Sequence, residues 1–213
     1  MPLAPTATAS LVDQAIDGMR GLLDSGEWVV GARIPPEPAL AAALGVSRNT
    51  VREAVKALAH LGLLQVRRGD GTYVIATTEV QALMRRQLDR VAIAHLLEVR
   101  HMIEVRAAGL AAQRRTDADL VAMDEVLAHR AQVTGAEFVR ADVDFHMAVV
   151  EAAHNPLLSE LYQGLVDTVA ASIDPDAGDD LLAEHVAVAA AIRAGDPAAA
   201  SAAAGLLLDH VAY

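Results

Sequence analysis

The segment GVSRNTVREAVK, residues 45–56, constrains the fold more than any other part of the chain. When it is drawn as a helix that Ser47 caps, its aliphatic residues recur at the spacing of a core-facing stripe. Arg48, Arg52 and Lys56 recur every four residues and therefore share the opposite, solvent-facing side. A short helix, a turn containing glycine and a helix with exposed arginines form the helix-turn-helix that enters the DNA major groove. For this segment alone, the alternative is a surface helix with a solvated basic face.

A β-hairpin is predicted directly after this helix. Two β-branched runs, residues 63–67 and 72–76, flank the sequence RGDG, whose glycines suit a tight turn. With a predicted helix over residues 10–24, the hairpin completes a winged helix-turn-helix domain at residues 10–77, which weakens the alternative. Residues 1–9 are rich in proline, alanine and threonine and are predicted to be a disordered tail.

Residues 78–213 show helical periodicity with no further strand signal. We expect six or seven helices packed as an antiparallel bundle, so the fold class is mainly α. Thr116 and Asp119 predict a capped helix start, and a single helix is expected over residues 156–173.

Composition narrows the class of protein. Of the 213 residues, 54% are hydrophobic and only 3% aromatic, so the core must consist mainly of Ala, Leu and Val, which favours helices. The absence of cysteine excludes disulfides, Cys-ligated zinc and thiol catalysis, and is compatible with a reducing compartment. The apolar runs are shorter than the roughly 18–20 residues of a membrane span, and no secretory signal is recognisable. We expect a cytoplasmic protein without a membrane partner.

The distribution of charge agrees with DNA binding despite a net charge of −11. Residues 1–77 hold seven basic and seven acidic residues, so the whole net charge lies in the second domain. Between Gly45 and Gly69, five basic residues face a single acid, Glu53. A locally positive edge can bind phosphates, while the acidic remainder discourages non-specific coating of DNA.

Residues 26–74, GEWVVGARIPPEPALAAALGVSRNTVREAVKALAHLGLLQVRRGDGTYV, resemble the DNA-binding domain of the GntR superfamily of bacterial transcription regulators. The resemblance covers essentially all of the first domain at fixed spacing. It implies that Arg48 and Arg52 contact phosphates and base edges, and that the wing reaches the minor groove. The candidate DNA-binding residues are Arg33, Ser47, Arg48, Asn49, Thr50, Arg52, Lys56, Arg68 and Gly69.

One position departs from the family pattern. Many members carry an arginine directly after the glutamate of the "PPE" motif, where this chain has Pro38. Either the contact is lost here, or Arg33 or Arg68 substitutes for it. Since one winged helix covers only a few base pairs, we expect a homodimer on a pseudo-palindromic operator in double-stranded DNA.

Polar side chains recur at intervals in the apolar bundle. Asp142 and His146 are four residues apart, so both project from one helix face, and His185 and His210 follow on later helices. A carboxylate and imidazoles that converge inside a bundle can hold a divalent cation. Each histidine alone is more often a surface residue or a satisfied core residue.

The second domain resembles the helical FCD effector domain of the FadR-type branch of the same superfamily. Many members bind a metal through an Asp-x-x-x-His pair and two later histidines, which implies Asp142, His146 and His185 as ligands of a zinc, nickel or manganese ion. The fourth histidine of the family falls where this chain has Leu207, and His210 is its candidate substitute. The stretches that carry the resemblance are residues 98–112, 138–158 and 184–200.

The same resemblance implies a small organic acid or acyl compound as the effector. Arg100 would pair with the carboxylate of that effector near the metal, and Asn155 would line the pocket. The alternative for Arg100 is an ion pair with Glu104, which lies four residues further along the helix.

Three classes of function remain to be compared. The first is a ligand-controlled transcription regulator, a repressor that a carboxylate effector releases from DNA. The second is a metal-dependent hydrolase fused to a DNA-binding domain, but Asp144 would face away from Asp142 and no G-x-S-x-G motif is present. The third is a DNA-binding protein whose second domain only dimerises. The sequence favours the regulator and predicts no enzymatic activity.

Overall fold

The computed structural model describes residues 10–88, 93–170 and 181–211. It divides into two compact units between Leu83 and Met84, whereas the sequence-based boundary falls between residues 77 and 78. The predicted disordered tail, residues 1–9, lies outside the described residues. Within the described part of the chain, no helix is long and apolar enough to cross a membrane.

The first unit contains the predicted helices and hairpin, with boundaries that agree closely with the sequence. Ser10 and Asp13 form a capping box, because each side chain accepts a hydrogen bond from the backbone N–H of the other at 3.1 Å. Gly45, with φ of 67°, takes the left-handed conformation at the turn of the helix-turn-helix. The elements are α1 (Leu11–Asp24), α2 (Glu37–Leu44), α3 (Arg48–Leu61), β1 (Leu64–Arg67) and β2 (Gly71–Val74). The helix α4 (Glu79–Leu88) contains the division between the units.

The inner face of α3 anchors the core of the first unit. The four aliphatic residues predicted to form its stripe are all buried: Val51, Ala54, Val55 and Leu58. They pack with buried residues of α1, the tryptophan Trp28 and the first residues of the hairpin. The two strands pair antiparallel from Leu64 opposite Val74 to Arg67 opposite Gly71. The basic side of α3 is therefore held outward by a complete apolar core on its other side.

The second unit is a helical bundle. Thr116 and Asp119 form the predicted capping box at the start of α6. Two apolar clusters of buried residues fill the interior, one around Phe145 and Ile192 and one around Val150 and Tyr162. The helices that follow α4 in the described residues are α5 (Ile93–Arg114), α6 (Asp117–Arg130), α7 (Gly135–Glu151), α8 (Pro156–Gln163), α9 (Val166–Ala170), α10 (Leu182–Ala194) and α11 (Pro197–Val211).

Two details of the bundle differ from the prediction. The helix expected over residues 156–173 is divided into α8 and α9 at Gly164, where a Cβ atom would lie 2.9 Å from the Cβ of Met84. The end of the predicted helix lies outside the described residues. The spacing of Leu96, Val99, Ile103 and Leu110 predicts that all four lie on the buried side of α5, but Val99 is 41% exposed. The inward stripe of α5 instead passes through Leu96, Arg100 and Glu104, so a charged pair occupies the buried side.

Candidate functional site

The outer face of α3 presents the predicted recognition residues to solvent. Arg48, Asn49 and Arg52 are exposed. The hydroxyl of Ser47 accepts a hydrogen bond from the Thr50 N–H at 3.1 Å, and the two hydroxyl oxygens lie 2.8 Å apart. The first turn of α3 is thus fixed by its own cap, and its arginines point away from the core.

Two of the basic side chains on α3 have acidic partners on the surface. Arg52 donates to both carboxylate oxygens of Glu37, from Nε at 3.3 Å and from Nη2 at 2.9 Å. These hydrogen bonds and the charge of Glu37 raise the pKa of Arg52. Lys56 donates to Glu53 at 2.8 Å. Both pairs are exposed, so phosphates or bases can replace the carboxylates at little cost.

The wing carries the remaining predicted DNA-binding residues. Arg68 and Gly69 are exposed at its tip, where Gly69 has φ of 77°. Arg33 lies against the start of β2, beside the tip of the wing, since a Cβ atom on Gly71 would be 3.0 Å from the Arg33 Cζ. Pro38 is exposed in the first turn of α2. Arg33 and Arg68 are therefore available on the wing side of the domain, and a substitution for the missing family contact stays a prediction.

A second site lies inside the bundle, where α7 and α10 bring three predicted metal ligands together. Asp142, His146 and His185 are 7%, 3% and 1% exposed. One ligand atom from each lies within 4.8 Å of the other two. The His185 Nε2 is 3.2 Å from Asp142 Oδ1, and the His146 Nε2 is 3.7 Å from Asp142 Oδ2. These atoms surround one point between the two helices.

The hydrogen bonds made by the Nδ1 atoms of His146 and His185 determine whether their Nε2 atoms can bind a cation. The His185 Nδ1 lies 2.7 Å from the carbonyl oxygen of Leu181, so it carries the proton, and the His146 Nδ1 lies 2.6 Å from Glu104 Oε2. In the neutral rings, each Nε2 therefore directs a lone pair toward the carboxylate of Asp142. Burial lowers the pKa of His185, which favours this neutral form. Lone pairs that face a carboxylate repel one another unless a cation lies between them.

The pKa of the Asp142 carboxyl group shows that positive charge lies close to it. Burial alone would raise the pKa of Asp142, but the positive groups beside it, among them the Arg130 guanidinium that donates at 2.8 Å, hold it well below its usual range. The His185 Nε2 is buried and makes no hydrogen bond of good geometry with a described residue. Two imidazole nitrogens and one carboxylate oxygen are a common ligand set for zinc, with the second nitrogen of each ring held by an acceptor.

A buried arginine–glutamate pair adjoins the three ligands. Arg100 donates from Nε to Glu104 Oε1 at 2.6 Å, and the Tyr162 hydroxyl donates to the same oxygen at 2.7 Å. Although burial opposes ionisation of Glu104, His146 and Arg100 lower its pKa to about 2. The Nη1 and Nη2 atoms of Arg100 are also buried, and neither makes a hydrogen bond of good geometry within the described part of the chain.

Arg130 is a buried member of the site that the sequence analysis did not identify. It is 2% exposed, donates from Nε to Asp142 Oδ1 at 2.8 Å, and stacks over the ring of Phe138 with Cζ 4.6 Å from the centroid. A signal was present in the sequence, because Arg130 follows Met123 and Leu127 at the seven- and three-residue spacing of the buried face of α6. A charged residue on such a stripe requires a buried partner.

Comparison with known protein families identifies both units. The family described as bacterial regulatory proteins, gntR family, matches residues 11–74, and the FCD domain matches residues 95–210. This chain belongs to the GntR family. Its pairing of a GntR domain with an FCD domain is that of a FadR-type regulator, so the protein is a ligand-responsive, DNA-binding transcription regulator. The family consists of transcription regulators and not enzymes, and the hydrolase alternative is not supported.

Individual relatives agree with this assignment. The Escherichia coli (strain K12) protein assigned as an L-lactate dehydrogenase operon regulatory protein is 32% identical, over 95% of this chain and 84% of the relative. The repressor NanR of Citrobacter rodentium is 32% identical, over 99% of this chain and 86% of NanR. Among solved structures, a GntR protein of Streptococcus agalactiae aligns with a TM-score of 0.62 at 28% identity, covering 94% of this chain and 98% of that protein.

Two predicted residues of the GntR regulator take positions outside the ligand cluster. His210 is exposed and its Nδ1 lies 2.8 Å from the carbonyl oxygen of Leu206, so the predicted set of four ligands is reduced to three. The inward position on α11 belongs to Leu207, and three further residues turn His210 by about 60° away from it. Asn155 is half-buried and caps α8 by accepting from the Leu158 N–H at 3.4 Å.

Proposed function

We propose that this regulator is a homodimeric repressor that a small carboxylate releases from a pseudo-palindromic operator. The repressor assignment draws on NanR, which is named a transcriptional repressor. Recognition would use the exposed arginines of α3 and the wing, since arginine can grip a guanine edge with two hydrogen bonds. Operator binding of this kind takes place in the cytoplasm. The effector would bind inside the FCD bundle.

The observation that carries the proposal is the buried guanidinium of Arg100. Its Nε is engaged by Glu104, but Nη1 and Nη2 lack a well-formed hydrogen bond to any described residue. Leaving such donors buried costs free energy, and a carboxylate would satisfy both with two parallel hydrogen bonds. The ion pair with Glu104, the alternative considered for Arg100, is present as well, and it occupies only one side of the guanidinium.

The residues beside Arg100 fit a divalent metal ion. Asp142, His146 and His185 would hold it, while Glu104 and the Leu181 carbonyl fix the imidazole tautomers. When bound, the ion supplies a positive centre that can accept an oxygen of the effector. Nitrogen and oxygen ligands suit zinc, nickel and manganese, and the choice among them is left to measurement. Asn155 is kept as a pocket residue in this proposal, although the hydrogen bond of its side chain is already used to cap α8.

Thermal-shift measurements with small carboxylates test the proposal. L-lactate is the first compound because a relative is assigned to an L-lactate dehydrogenase operon. A binding carboxylate at 100 times its Kd should add about 2.7 kcal/mol of stability, and it should weaken operator binding in a gel shift. Arg100→Lys should lose most of this response because lysine lacks the planar fork. Arg106→Lys, at an exposed position of the same helix, is the matched control.

Metal analysis addresses the second part of the proposal. Protein dialysed against zinc, nickel or manganese should retain one ion per chain, and His146→Ala should retain none. A native protein that takes up none of the three ions would defeat the metal site. A panel of small carboxylates that stabilises Arg100→Lys as well as the unaltered protein would defeat the effector site.

A further inference from the structure

The guanidinium of Arg130 occupies a position at Asp142 that competes with the proposed metal ion. It donates to Oδ1 at 2.8 Å, and the Nε2 of His185 lies 3.2 Å from that same oxygen. The Arg130 side chain comes from the last turn of α6 and is held against Phe138, so it cannot move into solvent without losing that contact. A carboxylate that a metal ion would share is therefore already paired with a permanent cation.

The buried charges near the ligands balance without any metal. Among the described residues at the site, two guanidinium groups face two carboxylates, so each buried anion already has a cation beside it. A divalent ion would add two positive charges to an interior that has little solvent to screen them. The four charged groups are Arg100, Arg130, Glu104 and Asp142.

We propose that Arg130 is a built-in cationic competitor that weakens metal binding at Asp142, His146 and His185. The proposal rests on the metal site proposed above. The positive charge of Arg130 repels the incoming ion and draws electron density from Asp142 Oδ1, so the site holds its metal less tightly than its three ligands alone would. Metal affinity is then determined by α6 as well as by the two helices that supply the ligands.

If Arg130 only positions Asp142, removing it should change the metal affinity in the opposite direction. If the guanidinium served only to orient the carboxylate of Asp142, its removal would loosen a ligand and weaken metal binding. If it acts as a competitor, its removal leaves the carboxylate fully available and strengthens metal binding. The direction of the change in affinity therefore distinguishes the two roles.

Zinc titration in competition with a chromogenic chelator measures this direction. Arg130→Gln removes the charge but keeps a hydrogen-bond donor, and Arg130→Met fills the apolar volume against Phe138 in case the glutamine variant does not fold. We expect either variant to bind zinc roughly tenfold more tightly or better, given the strength of charge repulsion in a buried site. Arg130→Lys retains the charge and should remain within about threefold of the unaltered protein. The control is Arg193→Gln, which removes an exposed ion pair with Asp124.

The outcomes separate this proposal from the metal site itself. Unchanged or weaker zinc affinity in the glutamine and methionine variants overturns the competitor role, provided that His146→Ala abolishes binding and so verifies the site. Equal zinc binding by the unaltered protein and His146→Ala defeats the site and the competitor role together. Zinc binding by Arg130→Gln at least tenfold tighter than by the unaltered protein, and abolished in both backgrounds by His146→Ala, supports the competitor role.

Discussion

Replacing Glu104 with glutamine isolates the energetic role of the buried charge in the FCD bundle. Glu104 is 3% exposed and faces three donors: Arg100 at 2.6 Å, Tyr162 at 2.7 Å and His146 at 2.6 Å. Glutamine keeps the shape and one acceptor oxygen, but it removes the charge and directs an amide donor toward existing donors. Arg100 would then be a buried cation without a counter-charge.

The pKa of Glu104 gives the expected magnitude. It falls from its ordinary value of 4.5 to about 2, so folding favours the ionised form. At 1.36 kcal/mol per pKa unit, this preference corresponds to about 3 kcal/mol. Because the folded pKa is depressed, that stabilisation is complete above the unfolded pKa and is lost only as the pH falls through the folded pKa. Breaking a buried ion pair by removing one member typically costs roughly 3–5 kcal/mol. This value agrees at neutral pH with the one obtained from the pKa of Glu104.

Thermal unfolding of chelator-treated protein at pH 7, followed by far-UV circular dichroism, measures this cost without any contribution from metal. A loss of about 3 kcal/mol should lower the melting temperature of the second unit by roughly 10–15 °C. Glu98→Gln, an exposed change on the same helix, should have almost no effect. The double variant Arg100→Met with Glu104→Gln removes both charges and should recover at least half of the loss. The reasoning is refuted if Glu104→Gln costs under roughly 1 kcal/mol, or if the double variant is no more stable than the single one.

Two further predictions concern DNA binding and helix capping. Arg52→Ala should weaken operator affinity by about 1–3 kcal/mol in a gel-shift titration, because the paired donors of arginine suit a guanine edge. Arg52→Lys should have an intermediate affinity. If the unaltered protein and both variants bind the operator equally well, Arg52 is not part of the recognition surface. Asp119→Asn should cost about 1 kcal/mol at pH 7 because Asp119 accepts from the Thr116 N–H at 2.6 Å and from His154 at 2.8 Å. Burial alone would raise the pKa of Asp119, but these hydrogen bonds lower it. The difference in stability between the unaltered protein and Asp119→Asn should therefore narrow as the pH falls below about 4. A difference in the free energy of urea unfolding that stays constant from pH 7 to pH 3 would contradict this.

The sequence alone determined the elements of the DNA-binding unit and most helix starts of the bundle, because their signals are local. The capping boxes at Ser10 and Thr116 lie within four residues of the helix starts that they specify. The apolar stripe of α3 fixes which side of that helix is buried, and so which side carries Arg48 and Arg52. The spacing of Asp142 and His146 likewise placed both on one face of α7 before any tertiary contact was known.

The tertiary structure decided which side chains meet inside the bundle. Helical periodicity gives the buried face of each helix, but it does not give the rotation or the neighbour that places His185 beside Asp142 and turns His210 outward. The spacing of Arg130 indicates that it is buried, but its role stayed hidden because its partner Asp142 lies on the next helix and the two meet only through packing. Local spacing is a property of one helix, whereas a binding site depends on the distances between several helices, which packing alone sets.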